Sequence, residues 1–214
     1  MGTSALRGAR ARDRVLRAAM DTIVERGLDG VRLAEIARRS KMSEGHVLYY
    51  FGTKNRILIE TLIWSEERLT RRRREKIAAT APGWEQLRSF IDLYLPRNFE
   101  DPVWALWVEA WARRHAEELG APLRQTAEVW RADLQDVLDR GERAGAFAAA
   151  PPSFPGRLIA LMNGFGVQIL ERVVRRDEVI ETVLEQCRIE LARDGSRKDG
   201  NPAGRRRARA VAGP

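Results

Sequence analysis

The thirteen residues from Met42 to Lys54 bring together side chains suited to hydrogen bonding on a nucleic-acid duplex. Ser43 is an N-cap residue, and His46, Tyr49 and Tyr50 follow it at spacings that fit a short helix. Such a helix suits a major groove: its first turn faces base edges, and its last turn reaches phosphates. His46 is the base-reading candidate, because an imidazole can donate or accept in the groove. Gly45 permits close approach, either of DNA or of a preceding helix. Lys54 adds a positive charge and free helix-end amides beside the same backbone. For Tyr49 and Tyr50 two readings stand, DNA contact or aromatic packing. Met42, Val47 and Phe51 read as core. Enzyme signatures are missing from the sequence: there is no GxxxxGK phosphate loop, no HExxH zinc helix and no GxSxG elbow. His46 and His115 lie in separate segments. Gly164-Phe165-Gly166 lacks the third glycine and the preceding strand of a dinucleotide site. The expectation is a protein that is not an enzyme, with no catalytic residue, no metal and no cofactor.

These residues need helices to hold them. Leu16, Ala19, Met20, Ile23 and Val24 make one stripe at helical period, giving a first helix over about residues 10–26, with Gly27 as its C-cap. Leu33, Ile36 and Ala37 mark a second helix ending before Ser40, and Ser43 opens a third that closes near Phe51-Gly52. Two short helices about four residues apart form a helix-turn-helix candidate. Thr53 caps a long fourth helix carrying Ile57, Leu58, Thr61, Leu62, Ser65 and Leu69, which ends near Ala79. The Arg71–Arg74 run along it reads as a solvated face. Beyond Pro82-Gly83, helices begin near Trp84, Asp101-Pro102, Gly120-Ala121-Pro122, Ser153-Pro155 and Asp177. No segment alternates as a strand does. The fold class is therefore all-α, with about nine helices. Its expected organisation is a helix-turn-helix domain over 1–52, a larger helical domain over 53–194 and a disordered Arg-rich tail over 195–214.

Charge supports the same division. The chain of 214 residues carries a net +8 with a pI near 10.4. Residues 1–60 hold 12 basic and 7 acidic side chains, whereas residues 77–192 hold 13 and 18. A polyanion would meet the first third, leaving the acidic centre for another task. The longest uncharged apolar stretch, Leu158 to Leu170, is too short to span a bilayer and reads as a buried helix. No signal peptide is evident. The single cysteine, Cys187, fits a reducing compartment as a core or interface thiol. The expectation is a cytoplasmic protein with no membrane partner.

With Ile36-Ala37 upstream, the pattern on Met42, Ser43, Gly45, His46, Tyr49, Phe51 and Lys54 resembles the TetR family of bacterial transcriptional regulators. The match runs without a gap from the first helix through Leu58. Beyond residue 60 the likeness is one of length, helix count and a loosely BetI-like arrangement. Three positions depart from the family pattern: His46 replaces a small or hydroxyl residue, Leu48 replaces the first tyrosine, and Tyr50 stands where His is common. The second helix also begins at Val31-Arg32 where the family favours Thr. The resemblance implies that Arg32, Ser43, Gly45, His46, Tyr49, Tyr50 and Lys54 face DNA. It further implies a homodimer through helices eight and nine, with Gly164 and Gly166 suiting that role, and an operator that is an inverted repeat of double-stranded DNA. Helices four to seven would enclose a pocket for a small-molecule effector. Trp104, Trp107 and Trp111 share one helical face, as core or as ligand lining. Tyr94, Trp107, Trp111, Trp130 and Phe165 form the candidate lining, with Glu109, His115, Asn163 and Gln168 as possible polar anchors. The function so implied is a ligand-released repressor. An activator of the same fold and a sequence-indifferent nucleic-acid binder using its Arg-rich segments remain as alternatives.

Overall fold

α1 spans Thr3–Arg26, seven residues longer at its start than the apolar stripe indicates. The added turns contain no proline, but they run past the core they would have to face, so periodicity does not register them. A short connection leads to α2 (Leu33–Ser40) and α3 (Glu44–Phe51). At the turn between them Lys41 takes a left-handed conformation (φ 57°), and the Met42 amide donates to the Ala37 carbonyl. α4 (Lys54–Ala78) follows, then α5 (Trp84–Tyr94), α6 (Pro102–Ala112), α7 (Gly120–Arg143), α8 (Phe154–Leu170) and α9 (Arg176–Glu190). The computed structural model describes residues 3–27, 30–112 and 120–192; these nine helices and no strand occur among them. His115 and the tail from residue 195 lie outside the described residues.

Two apolar cores result. The smaller is built by Val15, Ala19 and Ile23 of α1, Ile36 and Ala37 of α2, Val47 and Phe51 of α3, and Ile57 and Leu62 of α4. It is completed by Leu106 and Ala110 of α6. The larger gathers α5, α7, α8 and α9 around Phe90, Leu134, Met162, Val183 and Cys187, with Ile77 from the far end of α4. The expected division at residues 52 and 53 thus falls at the cap of a helix that serves both cores. Burial pushes the Cys187 thiol up to about 12, so it is inert at neutral pH.

Two readings change. Arg73, within the run expected to be solvated, is fully buried: its Nε donates to Asp133 Oδ2 of α7 at 2.9 Å, while Arg74 reaches Oδ1 from the surface. The α4 stripe through Leu62, Leu69 and Ile77 carries residue 73 inward, one turn before Ile77. Gly166, assigned to close approach of a partner helix, instead makes room within the chain. A Cβ there would lie 2.1 Å from Trp104 Cη2, whereas one at Gly164 would meet open space. Gly141 is similarly filled, since a Cβ would lie 2.0 Å from Phe147 Cζ. Gly141→Ala is accordingly expected to destabilise the fold by about 1–3 kcal/mol, read as a lower denaturation midpoint.

Candidate functional site

The helix-turn-helix presents α3 on a braced platform. Ser43 caps α3, its Oγ accepting from the His46 amide at 3.2 Å, and Thr53 caps α4 in the same way from Arg56 at 3.1 Å. Val47 and Phe51 anchor the inner face of α3 in the core. Arg12 of α1 fixes its end: Nη1 donates to the Tyr50 carbonyl at 2.7 Å, the guanidinium lies over the Phe51 ring at 4.5 Å, and Glu60 pairs with it. At the other end of α1, Glu25 pairs with Arg39 of α2, which also reaches Glu35. Arg38 and Arg39 hold the Glu35 carboxyl down to about 2, so this brace stays ionised across the physiological range.

All seven DNA-facing candidates lie on the outside of this platform. Arg32, Ser43, Gly45, His46 and Lys54 are exposed, Tyr49 is 82% exposed, and Tyr50 is half-buried. His46 stacks on Tyr50 (5.3 Å between centroids), and Tyr49 meets Tyr50 edge-on at 5.5 Å, so α3 carries a continuous aromatic and polar ridge. Of the two readings for the tyrosines, packing applies in part to Tyr50 and not to Tyr49. A Cβ at Gly45 would touch nothing within 4 Å, so the protomer's own packing does not require glycine there. Arg32 precedes α2 without a side-chain cap. Ser43→Ala is expected to cost about 1 kcal/mol of stability, because the hydroxyl that caps α3 is lost. Thermal unfolding of the two proteins reads the loss.

A second site lies between α4, α5, α6 and α7, with α8 closing one side: a cavity of about 600 Å³. Tyr94, Trp107, Trp111 and Trp130 line it as the sequence suggests, and Trp104 joins them. The Trp104–Trp107–Trp111 stripe therefore both packs and lines. Phe165 is not among the lining residues; it packs against the larger core instead. Asn163 contributes by accepting from the Tyr94 hydroxyl at 2.6 Å, whereas Gln168 is exposed on α8.

Sequence reasoning missed the most consequential residue of the cavity, Glu66. It is only 5% exposed, and its carboxylate accepts from Trp107 Nε1 at 2.5 Å and Trp130 Nε1 at 3.0 Å. Burial raises its pKa above the ordinary carboxylate value, opposed by the two indole donors and by Arg73. The signal was present in the spacing: Glu66 lies four residues after Leu62 and three before Leu69, within the inward stripe. Arg73 stacks over Trp130 at 3.5 Å and so backs the same wall. Toward the other end of α4 the lining turns basic, with Arg68, Arg72, Lys76, Arg97 and Arg176 against Asp92 and Asp101.

A capped reading helix on an all-α scaffold, joined to a second helical body with an internal cavity, defines a helix-turn-helix DNA-binding regulator. Comparison with known proteins makes the class specific. Residues 15–61 match the model of the bacterial regulatory proteins of the tetR family, and residues 84–192 match that of the C-terminal domain of BetI-type transcriptional repressors. The chain belongs to the TetR family of transcriptional regulators, with a BetI-type C-terminal domain.

Among curated relatives, the regulator BetI of Burkholderia cenocepacia is 33% identical over 113 residues, 48% of this chain and 54% of its own. CymR of Pseudomonas putida is 28% identical over 90 residues, 42% and 44% of the two chains. The matched region spans about half the length of these relatives. A transcriptional regulator from Saccharomonospora viridis, solved in complex with choline, superimposes with a TM-score of 0.74 at 23% identity, covering 86% of this chain and 99% of that one. A TetR regulator from Haloarcula marismortui gives 0.70 at 20% identity, covering 86% and 97%. At these identities the superpositions establish a shared fold. No helix among the described residues is long and apolar enough to cross a membrane.

Proposed function

We propose that this regulator is a repressor that binds an inverted-repeat operator as a homodimer and is released by a small organic cation held in the cavity. The observation that carries the ligand class is Glu66, a buried carboxylate set among Trp104, Trp107, Trp111 and Trp130. Aromatic faces attract cations through their quadrupoles, and an anionic group in the same wall adds charge complementarity. The choline bound by the Saccharomonospora viridis regulator of similar fold supports the same class.

DNA contact is assigned to Arg32, Ser43, Gly45, His46, Tyr49, Tyr50 and Lys54, with His46 setting base preference and Lys54 meeting phosphate. The dimer is assigned to α8 and α9, where Leu161 and Ile189 are exposed and Gly164 faces open space. Two copies of α3 would then enter successive major grooves, about 34–36 Å apart or somewhat more. The cation acts by preferring a dimer whose heads are spaced wrongly for the operator, and it lowers operator affinity by that preference alone.

Selecting bound duplexes from a random-sequence pool tests the DNA half of this reading. An enriched inverted repeat is expected, with Lys54→Ala weakening binding to all sequences and His46→Ala relaxing preference at one position of each half-site. Adding choline to the complex should release the repeat and shift tryptophan fluorescence. A pool that yields no common sequence points to a sequence-indifferent binder, and choline that strengthens the complex points to an activator.

A further inference from the structure

The cavity is larger than its cationic end requires. At about 600 Å³ it has the size that holds a drug-sized molecule, whereas a single quaternary ammonium would occupy only the space beside Glu66 and the tryptophans. α4 supplies one wall along its length. At 100° per residue Ser65, Leu69, Arg72 and Lys76 fall within an arc of about 60°, with Glu66 about 60° beyond Leu69, and all of them line the cavity. Arg72 lies about 9 Å further along the helix axis than Glu66, and Lys76 about 15 Å, at 1.5 Å per residue. Leu69 is the apolar lining residue that separates Glu66 from Arg72 on α4.

The charges toward that far end do not balance. Lys76 Nζ donates to Asp92 Oδ2 at 3.2 Å, and Arg176 donates to Asp92 Oδ1 at 2.9 Å and to the Pro96 carbonyl at 2.9 Å. Arg97 pairs with Asp101 at 3.1 Å, and the Arg68 guanidinium lies over the Trp64 ring at 4.8 Å. Arg72 is different. It lines the cavity and is exposed, and its guanidinium has no hydrogen-bond, ion-pair or ring partner among the described residues. One turn on, Lys76 shares Asp92 with Arg176, so this stretch of wall holds more positive charge than Asp92 neutralises.

We infer that the effector is an elongated zwitterion, with an organic cation at Glu66 and the tryptophans and a carboxylate at Arg72 and Lys76. A guanidinium with free N–H groups matches a carboxylate in geometry as well as charge, and Lys76 adds a point charge beside it. An apolar spacer along Leu69 joins the two ends. The cationic end rests on the proposed role of Glu66; the carboxylate end rests on the unpaired guanidinium and on the extent of the cavity along α4.

The test measures binding of ω-trimethylammonio carboxylates, with spacers of one to six methylenes, to the full chain by tryptophan fluorescence. The methyl ester of each acid is its control, since it keeps the cation and the spacer and lacks the anion. Acids with the longer spacers should bind roughly fivefold or more tighter than their esters, as expected of a charge-assisted pair at a solvent-open mouth. The shortest acid should not, because one methylene cannot bridge the two ends. The preference for acid over ester should shrink with added salt, fall in R72A and vanish in R72A/K76A. Arg71→Ala controls for charge: Arg71 is exposed on the same helix but does not line the cavity, and its loss should leave the preference intact.

Acids that bind no tighter than their esters at any spacer length, while choline binds, overturn the inference and leave the cation site standing. A preference that R72A/K76A retains overturns it too, because the carboxylate is then held elsewhere. If choline and the esters all fail to bind, the cation reading itself fails, and the zwitterion with it.

Discussion

Asp133→Ala is expected to destabilise the protein by about 3–5 kcal/mol, because it strands a buried guanidinium without its counter-charge. Arg73 is wholly inaccessible, its Nε and Nη2 both donate to Asp133, and its Nη1 already lacks a partner. The pair ties α4 to α7, and the same guanidinium stacks on Trp130, so the cavity wall loosens with it. Chemical denaturation should show a lower midpoint with an unchanged slope. Two controls separate pairing from mere composition. Arg71→Ala and Arg72→Ala, at exposed neighbours, should stay within about 0.5 kcal/mol of wild type. The double change R73M/D133L should be milder than Asp133→Ala, since an apolar pair leaves no buried charge unmatched. A double variant as unstable as the single one would show that packing, not charge, dominates here.

Glu66→Gln carries the second large effect, on ligand rather than fold. Loss of a carboxylate facing a cation in a partly dry site costs about 2 kcal/mol or more, equivalent to roughly 30-fold or more in affinity. Choline binding followed by tryptophan fluorescence should weaken by that factor, with operator affinity of the ligand-free protein unchanged. The pH dependence has a definite sign. Protonation removes the charge the cation needs, so wild-type affinity for choline falls as pH drops through a Glu66 pKa that lies above the ordinary 4.5. The glutamine variant should show no such fall. The stability linkage runs the opposite way: a carboxyl whose folded pKa is raised contributes stability below its unfolded pKa, and that contribution is lost as pH rises through the folded value. The ionised form of Glu66 is thus a structural cost. Glutamine removes this cost but leaves one of the two indoles without an acceptor. A variant that keeps choline affinity rejects the cation reading of the cavity.

The head was legible because its signals are local. Ser43, Thr53, Val47 and Phe51 declare caps and inward faces within a few residues of one another, and the structure places each where spacing requires. The helix content of the second body was legible for the same reason, through apolar period and Pro or Gly punctuation. Arg73 and Glu66 were not, since their partners Asp133 and Trp130 lie about 60 residues away and a charged residue on an inward stripe is ordinarily read as solvent-facing. Phe165 failed as a lining residue for a related reason: an aromatic on a buried helix has two sides to face, and periodicity does not choose between a cavity and a core. The start of α1 was hidden because helix without a core to cover leaves no apolar stripe.

α6 divides its side chains between the two bodies, Leu106 and Ala110 to the small core, Trp104 and Trp111 to the cavity, and Trp107 to both. The reading head is therefore not a portable module. A fragment ending after α4 would uncover the apolar surface that Leu106 and Ala110 now seal, and a chimera joining this head to another regulator's ligand-binding body would inherit a foreign α6 against the same surface. Exchange of specificity between such proteins has to take the head and the matching face of α6 together, or confine itself to the outward residues of α3.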